Sequence, residues 1–521
     1  MNVNRLERDV SHANLGALVD DAAARYGEAP LWESIDDGST LSFAAFAEQT
    51  VRCAHGLRAL GVEPGSHVAV MLPNVSAYVI TWIALARLGA VMVPVNTRST
   101  SRELEYVLRD SDSRFLVIDA AYREALDGIE NRDSVIAPTR VVVHREGGPW
   151  SAMVAAASSD AGGLPAPTPE TLMSIQYTSG STGFPKGCML TQDYWIVLGY
   201  VRAHQGPRPS RLLIDKPLTY MGGKWRFLMC LYLGCTACVA QRFSLSGLQQ
   251  RLVDHRIDFF AATDAVAKLP EHPGVADLDI AWISIAGLSK ALHAPLEKKF
   301  GAPVRELYGL TETGSTLYMP TDATHMVGSG SCGLPAPYRQ CRIVDPESGS
   351  DVAVGETGEL WVSGRGILKG YYNKPDATRE AFSGEWFRTG DLFRQDAEGY
   401  YYIQGRIKDS IRRSGENISA REVESVAAGI PGVLEAAAVA APDELRGQEV
   451  KLCLVLQPGA EVTPEQVIAH CSERLAAFKV PRYVEYYDEF PRTSSNKIAK
   501  QALSAAARPG RVYDRTTAKW L

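Results

Sequence analysis

The sequence predicts a layered α/β fold with largely parallel sheets, because helical periodicity alternates repeatedly with short apolar runs. The alternating segments lie at 51–60, 68–72, 75–88 and 91–95. The pattern continues from 102 to 119 and gives a further strand near 115–118. A helix between two strands returns the chain to the same edge of the sheet, so this alternation favours parallel pairing.

The length of 521 residues predicts two or more domains. Strands become short and turns frequent around 359–402, which indicates a smaller β-rich subdomain. A compact unit of about a hundred residues follows. Its helices and strands are expected near 420–428, 436–439, 451–456 and 464–477. The predicted division is an N-terminal domain over 1–405, a hinge over 406–409 and a small C-terminal α/β domain over 410–521.

Composition and charge limit the classes of partner. The hydrophobic fraction of 45% and the charged fraction of 22% are typical of ordinary globular proteins. The 54 basic and 60 acidic residues give a net charge of −6, and the basic residues form no stripe along the chain. Nucleic acid is therefore not an expected partner.

The nine cysteines show no disulfide framework, which favours a reducing, cytoplasmic environment. Cys235 and Cys238 are spaced like half of a zinc site, but no second pair follows. They lie in an apolar segment, 233–240, that is typical of a buried strand. We therefore expect both cysteines to belong to the core.

The sequence gives no sign of a secretion signal or a membrane span. The first nine residues contain no apolar stretch of the kind found in signal peptides. The longest apolar segment, 78–95, contains Arg87, Gly89 and Pro94. These residues predict a helix followed by a strand.

The segment most informative about function runs from Tyr177 to Gly187. It contains three glycines, four Ser or Thr residues and one lysine, and it follows an apolar run, 172–177, that predicts a buried strand. Glycines let backbone N–H groups approach phosphate oxygens, and hydroxyls and a lysine add donors and charge. Lys186 lies between Pro185 and a glycine, so the segment is not a Walker A loop. A flexible surface turn is the alternative interpretation.

Six further motifs follow in order, at 308–314, 355–360, 386–391, 405–409, 414–418 and 491–497. Together with the loop, they resemble the motifs of the adenylate-forming superfamily, which includes acyl- and aryl-CoA synthetases, peptide-synthetase adenylation domains and luciferases. The resemblance implies a large N-terminal domain and a mobile C-terminal lid. It also implies that a carboxylate attacks the α-phosphorus of ATP, releases pyrophosphate, and passes as an acyl group to coenzyme A.

The resemblance assigns ATP-binding residues across the chain. Glu312 matches the carboxylate that holds Mg²⁺, whereas alone it would suit an acid at the start of a helix. Lys497 matches the lysine that bridges the carboxylate and the α-phosphate, and Asn496 beside it replaces the usual glycine. We expect Thr178, Lys186, Glu312 and Lys497 to be catalytic. The full expected nucleotide set is Thr178, Ser179, Gly180, Ser181, Thr182, Gly183, Lys186, Gly287, Leu288, Tyr308, Gly309, Thr311, Asp391, Arg406 and Lys497.

The resemblance places particular parts of the nucleotide against particular side chains. Tyr308 would lie against adenine, and Thr311 would contact the α-phosphate. Asp391 would accept hydrogen bonds from the ribose hydroxyls, and Arg406 would add a second contact. Either charged residue alone would more often be an ordinary surface charge.

The C-terminal motifs imply a change of conformation between two half-reactions. Lys408 occupies the hinge position of the family, and the segment 414–418 resembles the loop that serves thioester formation. The expected coenzyme A contacts are Arg412, Arg413, Ser414 and Gly415. An ordinary basic surface pair is an equal alternative for the two arginines.

The segment 217–225 aligns with the gate and the helix that line the acid pocket of the family. The expected lining is Tyr220, Met221, Lys224, Trp225, Ala286 and Gly309, with Tyr220 as the gate. Lys224 would suit a second carboxylate, a phenolate or another polar anion, and its alternative is to reach the surface. The sequence therefore favours a small, aromatic or polar acid over a long-chain fatty acid. Local phrases resemble the carnitine/crotonobetaine-CoA ligase branch.

Two alternatives stay open for the acceptor and the activity. The adenylate could pass to a carrier protein or an amine, or nitrite could be activated for diazotisation of an aryl amine. A catalytically silent nucleotide-binding protein is the second alternative, although the charged motif positions are all present. The expected partners are the acid, ATP and coenzyme A, and a homodimer is also left open.

Overall fold

A computed structural model describes residues 10, 12–178, 185–407, 410–413, 416–443, 446–493, 497–505 and 511–521. The chain divides into two compact units. The first comprises Met1–Cys341 and Val362–Phe387, and the second comprises Arg342–Trp361 and Arg388–Leu521.

The strands up to the first change of unit are β1 Pro30–Ser34, β2 Thr40–Ser42, β3 His67–Met71, β4 Val91–Pro94, β5 Phe115–Asp119, β6 Val141–His144, β7 Leu172–Thr178, β8 Lys186–Thr191, β9 Arg211–Ile214, β10 Thr236–Val239, β11 Phe259–Ala261, β12 Trp282–Ile285, β13 Val304–Leu310, β14 Gly314–Tyr318 and β15 Leu334–Pro335. They form two sheets, with strand orders β6-β5-β3-β4-β7-β8 and β15-β14-β13-β12-β11-β9-β10-β1-β2. Pairing is parallel except at β2, β8, β14 and β15. The predicted α/β class with largely parallel sheets is confirmed.

The helices of the first unit are α1 Leu15–Tyr26, α2 Phe43–Ala59, α3 Ser76–Leu88, α4 Ser101–Asp110, α5 Arg123–Asp127, α6 Arg132–Val135, α7 Pro149–Ala156, α8 Gln192–Ala203, α9 Met221–Leu233, α10 Leu248–Asp254, α11 Asp264–Ala267, α12 Lys290–Phe300 and α13 Pro375–Ala381. Short 3₁₀ turns lie at Ala120–Tyr122, Pro138–Arg140, Pro273–Asp277 and Thr324–Met326.

The core of the first unit contains two helices that are buried on nearly every side, α3 and α8. Nearly every residue of α3 and every residue of α8 is buried, and Trp82 and Trp195 meet edge to face at 5.1 Å. Helices with apolar residues all round are expected in the interior of large domains. Helix α8 begins where the Thr191 hydroxyl accepts a hydrogen bond from the Tyr194 N–H. This helix is therefore fixed in the interior, directly after the predicted phosphate loop and strand β8.

The remaining strands are β16 Arg339–Val344, β17 Thr357–Gly364, β18 Phe382–Ser383, β19 Trp386–Gln395, β20 Tyr401–Arg406, β21 Ser410–Arg413, β22 Glu416–Ser419, β23 Val433–Asp443, β24 Gly447–Leu456, β25 Tyr483–Tyr487, β26 Val512–Asp514 and β27 Lys519–Trp520. The β16-β17-β19-β18 sheet carries β20 beside β19, and a second sheet has the order β22-β21-β24-β25-β26-β27 with β23 beside β24. The helices are α14 Ala420–Ala427, α15 Pro464–Arg474 and α16 Lys500–Ala505. The expected small C-terminal α/β fold is present.

The second compact unit begins earlier in the chain than the predicted lid, because it also includes 342–361 and 388–405. The predicted division at 406–409 stays a prediction, since Lys408 and Asp409 lie outside the described residues.

Two exclusions from the sequence can be compared with the structure. Cys235 and Cys238 are buried, as expected, and burial raises the pKa of the Cys238 thiol to about 12. The described residues contain no cluster of three metal-ligating side chains. The apolar segment 78–95 forms most of α3 and then β4, and among the described residues no helix is long and apolar enough to cross a bilayer.

Candidate functional site

The predicted phosphate loop connects two antiparallel strands of the first unit. In the β7–β8 ladder, Thr178 pairs with Lys186 and Tyr177 pairs with Gly187. The hairpin therefore places Thr178 and Lys186 opposite each other at the base of the loop. The other predicted phosphate contacts, at 179–183, lie outside the described residues.

Lys186 is positioned by an aromatic residue that the sequence did not single out. Its ammonium lies 4.5 Å from the centroid of the Tyr371 ring. The Tyr371 hydroxyl donates a hydrogen bond of 3.0 Å to Glu312 Oε1. Tyr371 therefore links the predicted phosphate lysine to the predicted metal-binding carboxylate, which are 126 positions apart in the sequence.

Backbone hydrogen bonds fix Tyr371 in this position. Strand β8 exchanges bonds with the segment 369–372, including Met189 N–H to Gly370 O and Tyr372 N–H to Gly187 O, both at 2.9 Å. The Leu368 N–H donates to Glu312 O at 2.8 Å. The segment 368–372 thus connects the phosphate hairpin to the loop that carries Glu312.

Glu312 lies in the tight hairpin between β13 and β14. It does not begin a helix, so that alternative for this acid is wrong. Gly314 has a φ of +64°, and a Cβ on Gly309 would approach Gly314 O to 2.1 Å. Both glycines are therefore required by the turn rather than by flexibility.

The hairpin is held from below by two buried side chains. Arg339 Nε donates to Thr313 O, and the Tyr194 hydroxyl donates to Thr311 O, each at 2.9 Å. The Arg339 guanidinium also bonds carbonyls of Arg365 and Gly366. Burial lowers the pKa of Arg339 to about 10, still above neutral, so the cation is retained in contact with carbonyl oxygens.

Electrostatics in this region favour protonated hydroxyls and thiols. Burial raises the pKa of Tyr371 well above its usual range, and the charge of Glu312 raises it further. Burial raises the pKa of the Cys188 thiol in the same way, with Glu312 again adding to the shift. Tyr371 consequently stays a hydrogen-bond donor to Glu312 throughout the physiological pH range.

The predicted contacts at 286–288 follow strand β12. Gly287 has a φ of +78°, and the Leu288 N–H donates to the buried carboxylate of Glu306 on β13. Ser289 is held next by Asp264, with a hydroxyl-to-carboxylate distance of 2.6 Å. These bonds tie the 286–288 turn to the strand that carries Tyr308, which is itself buried.

The predicted acid-pocket residues begin at the N-terminus of α9. Tyr220 is half-buried, and its hydroxyl accepts a bond of 2.6 Å from Asn96 Nδ2. The Tyr194 hydroxyl lies 2.8 Å from Met221 Sδ while it donates to Thr311 O. Met221 is thereby placed close to the Glu312 hairpin.

The alternative that Lys224 reaches the surface is wrong. Its side chain is fully buried, and its ammonium donates 2.9 Å to Gln176 Oε1. The ammonium lies 5.1, 5.7 and 5.9 Å from the ring centroids of Trp195, Trp82 and Tyr78. Burial lowers the pKa of Lys224 well below its usual range. Lys224 is therefore held in the aromatic core.

In the second unit, two predicted nucleotide residues are cross-strand neighbours. Asp391 on β19 pairs with Arg406 on β20, and Arg406 Nε lies 2.7 Å from Asp391 Oδ1. The fifteen-residue separation in sequence hides this contact. Asp391 is only 1% exposed, whereas Arg406 is largely exposed.

A buried carboxylate of the second unit organises the turn before Asp391. Glu359 accepts bonds from Gly390 N–H at 2.9 Å and from Trp361 Nε1 at 2.8 Å. Arg388 lies 3.4 Å from the same carboxylate. The motifs at 355–360 and 386–391 are thus parts of one hydrogen-bonded structure.

Arg412 and Arg413 of the predicted coenzyme A segment lie on β21, where Arg413 pairs with Glu416 of β22. Arg413 Nε bonds the buried Glu449 at 2.7 Å, so its charge is already balanced within the unit. Ser414 and Gly415, like the Arg412 side chain, lie outside the described residues.

Lys497 is exposed, and two hydrogen bonds connect it to Thr493. The Lys497 N–H donates to Thr493 Oγ1 at 3.2 Å, and the Thr493 N–H donates to Lys497 O at 2.8 Å. Asn496 lies outside the described residues.

Sequence reasoning missed the residues that position the site rather than form its motifs. Tyr371, Arg339 and Glu359 lie outside the roles that were assigned, although Glu359 belongs to a quoted motif. A charged residue beside an apolar segment is a weak sequence signal for Arg339 and Glu359, and Tyr371 gives no such signal.

Known proteins resemble this chain over most of its length. The AMP-binding enzyme family matches residues 19–372, and the AMP-binding enzyme C-terminal domain matches 422–497. A sulfoacetate–CoA ligase of Cupriavidus necator is 32% identical over 501 residues, covering 94% of this chain and 97% of the relative. A feruloyl-CoA synthase of an Amycolatopsis species is 31% identical, covering 89% and 93%. The crystal structure of ATP-bound MatB from Rhodopseudomonas palustris has a TM-score of 0.85 at 26% identity, covering 94% and 98%.

Proposed function

We propose which residues serve each step of the reaction in this chain, which belongs to the AMP-binding enzyme family and is an AMP-forming acid–CoA ligase. ATP and coenzyme A are its co-substrates. The observation that carries the proposal is the Lys186–Tyr371–Glu312 linkage at the base of the phosphate hairpin. A cation and a carboxylate held together at this point support the binding of a polyphosphate and its metal ion.

The residues fit a magnesium ion bound mainly through phosphate. Mg²⁺ is commonly held by one or two carboxylates together with substrate phosphates and water. Glu312 supplies one carboxylate, and its orientation is fixed by Tyr371 and by the β13–β14 hairpin. When bound, the ion would neutralise charge on the phosphate oxygens.

The two reactants are both anions, so the protein must supply positive charge and orientation. We assign Lys186 and Thr178 to the phosphates, and Lys497 to the carboxylate and the α-phosphate. Asp391 with Arg406 would hold the ribose. The carboxylate oxygen then forms a bond to the α-phosphorus while the bond to pyrophosphate breaks.

The acyl group is then transferred to coenzyme A. The sulfur of coenzyme A attacks the carbonyl carbon, and AMP leaves with the electron pair of the broken C–O bond. We assign Arg412, Arg413, Ser414 and Gly415 to coenzyme A, and Lys408 to the hinge between the two half-reactions. For Arg413 this requires exchange of its bond to Glu449 or sharing of the charge.

Three finer statements belong to the same proposal. A cytoplasmic location rests on the free, mostly buried cysteines among the described residues. The homodimer and the resemblance to the carnitine/crotonobetaine-CoA ligase branch rest on the sequence alone.

The overall activity is tested by a panel of small, aromatic, dicarboxylic and long-chain acids, with nitrite added. ATP-dependent AMP release is measured with and without coenzyme A, and the thioester is identified by mass. An acid- and coenzyme-A-dependent thioester supports the proposal. Product formation that ignores coenzyme A but needs another nucleophile would overturn it.

The assignment of Lys497 is tested by separating the two half-reactions. Lys497→Ala should slow adenylate formation roughly 100-fold or more, because a positioned charge is lost from the reacting anions. Thioester formation from supplied acyl-adenylate should be unchanged. Lys479→Ala, which removes a partly buried lysine paired with Glu422, is the control. Equal loss of both steps contradicts the assignment.

A further inference from the structure

Two arginines lie buried on either side of a tryptophan in the first unit. Arg202 on α8 is 2% exposed and Arg226 on α9 is 4% exposed. Their guanidinium carbons lie 5.0 and 4.9 Å from the centroid of the Trp225 ring. Lys, Arg and carboxylate side chains are rarely buried unless they are paired, so the pair calls for a physical reason.

Several donors of these arginines have no acceptor within the described part of the chain. Arg202 donates from Nη1 to Gln205 Oε1 at 3.0 Å, but its Nε is buried without a partner there. Arg226 Nε and Nη1 are buried and unpartnered in the same sense. Burying a charged donor without a hydrogen-bond acceptor costs more free energy than burying a neutral donor in the same way.

Positive charges outnumber negative charges around the arginine pair. Burial, together with the neighbouring charge of Arg226, lowers the pKa of Arg202 to about 9. Asp215 opposes the effect of burial on Arg226, but it forms no hydrogen bond with Arg226 in the described residues. Lys216, 3.8 Å from Asp215, is a third cation in the same group. Asp215 therefore acts on two cations, Lys216 and Arg226, and Arg202 lies beside Arg226.

Hydrogen bonds connect this cluster to the reaction site. Gln205 Nε2, from the residue that holds Arg202, donates to Ser315 Oγ at 3.2 Å, and Ser315 follows Glu312 by three positions. Tyr194, which bonds Thr311 O, lies on the same helix as Arg202. Burial raises the pKa of Tyr194, with Glu312 adding to the shift and Arg202 opposing it. The arginine pair consequently lies within electrostatic reach of the Glu312 hairpin.

Helix geometry separates this pair from Lys224. Two residues that are two positions apart on an α-helix are separated by about 200° around the helix axis, so they point to nearly opposite sides. Lys224 points to Gln176 and the rings of Trp82 and Trp195, whereas Arg226 stacks on Trp225. The positive charge that the sequence predicted at Lys224 is therefore supplied by Arg226, from the other side of α9.

We propose that Arg202 and Arg226 bind a second anionic group, a carboxylate or a sulfonate, on the acid that this enzyme activates. The inference rests on the proposed function and specifies its substrate class as a short acid with two anionic groups. A planar guanidinium matches both anions with two parallel hydrogen bonds, which would satisfy the unpartnered donors. The acid's other carboxylate is the one that reacts with ATP.

A monoanionic acid would leave the same donors buried without a partner. A long aliphatic tail would also have to lie against two cations, which is unfavourable for both groups. The arginine pair thus favours a short dianion by binding it and disfavours a fatty acid by leaving charges unmatched.

The experiment compares matched acids of one and two charges. Malonate and succinate test the carboxylate, sulfoacetate tests the sulfonate, and propionate, butyrate and palmitate are the single-charge controls. The wild-type kcat/KM for ATP-dependent AMP release should be at least about 100-fold higher for one dianion than for its single-charge partner.

Substitution then assigns the effect to residues. Arg202→Met and Arg226→Met should each lower kcat/KM for the preferred dianion roughly 10- to 150-fold, mainly through KM, and should not lower kcat/KM for propionate. Arg226→Lys, which keeps a charge but loses the fork, should fall between. Arg87→Met is the matched control, because it removes a buried guanidinium whose partners, Thr50 and Asp20, lie elsewhere in the unit.

The outcomes separate a failure of this inference from a failure of the proposed ligase function. Activation of single-charge acids without preference for any dianion overturns this inference and leaves the ligase activity standing. Loss of dianion preference in Lys224→Met but not in the arginine variants also overturns it. If no acid releases AMP, calorimetric binding of malonate and sulfoacetate decides: binding that Arg226→Met abolishes supports the site, and absence of binding refutes it.

Discussion

The Glu312 cluster, formed by Lys186, Tyr371 and Glu312, and the Arg202–Arg226 pair both lie in the first unit. They differ in whether their buried polar groups find partners within the unit. In the Glu312 cluster, Tyr371 donates to the carboxylate and its ring faces the ammonium of Lys186. In the arginine pair, three buried donors have no acceptor in the described residues. A satisfied cluster is preorganised for a reaction common to the family, whereas an unsatisfied one indicates a ligand that completes it.

The largest effect should come from removing the charge at the centre of the satisfied cluster. Glu312→Gln keeps the size of the side chain but removes the carboxylate, so acid-dependent pyrophosphate exchange should fall roughly 1,000-fold. The control is Glu105→Gln, whose carboxylate pairs with Arg109 on a surface helix. A loss of less than about tenfold would remove Glu312 from the site.

A smaller effect is expected from the residue that only positions Glu312. Tyr371→Phe keeps the ring beneath Lys186 but deletes the hydrogen bond to the carboxylate. We expect about a 5- to 20-fold loss of kcat/KM, which corresponds to about 1–2 kcal/mol. The apparent Mg²⁺ requirement should rise as well, and this shift separates positioning from a merely structural role. An unchanged Mg²⁺ titration would count against the linkage.

The arginine pair predicts a change of the opposite sign in stability. Without ligand, Arg226→Met should raise the free energy of unfolding by about 1–3 kcal/mol, because it removes a buried, unpartnered cation. Arg87→Met should lower it, since that arginine is partnered. Urea unfolding with and without malonate measures both. Destabilisation by Arg226→Met in the absence of acid would show that the pair already has its partners.

The smallest expected effect is a pH dependence carried by Lys216. Burial lowers the pKa of Lys216 to about 8, Asp215 opposes this shift, and Arg226 adds to it. As pH rises through about 8, Lys216 loses its proton, so kcat/KM for a dianionic acid should fall about two- to threefold more than for propionate. Lys216→Met should remove that extra decline. If kcat/KM changes with pH in the same way for the two acids, Lys216 does not interact with the second anionic group.

Much of the fold and of the ATP site was predictable because the signals are local. The alternation of helices and strands, and motifs of five to eleven residues, can be recognised without knowing what packs against them. Glu312, Asp391 and Arg406 were assigned in this way, and the structure makes the last two a cross-strand pair.

The acid pocket was less predictable, because its chemistry depends on which side of a helix faces which neighbour. Lys224 and Arg226 are two residues apart and equally basic in sequence. Only the tertiary packing gives them different environments, because Lys224 reaches Gln176 and the ring of Trp195, whereas Arg226 lies over Trp225 and shares that ring with Arg202. Propensity and periodicity do not report whether a buried donor has an acceptor.

The sequence by itself determined the α/β class, the order of the nucleotide motifs and therefore the reaction with ATP. The tertiary structure alone decided that Tyr371 joins Lys186 to Glu312, that Lys224 is a core residue, and that two arginines on separate helices share one tryptophan. The physical reason is that a motif is contiguous along the chain. Burial and hydrogen-bond satisfaction are properties of side chains brought together from positions that are distant in sequence.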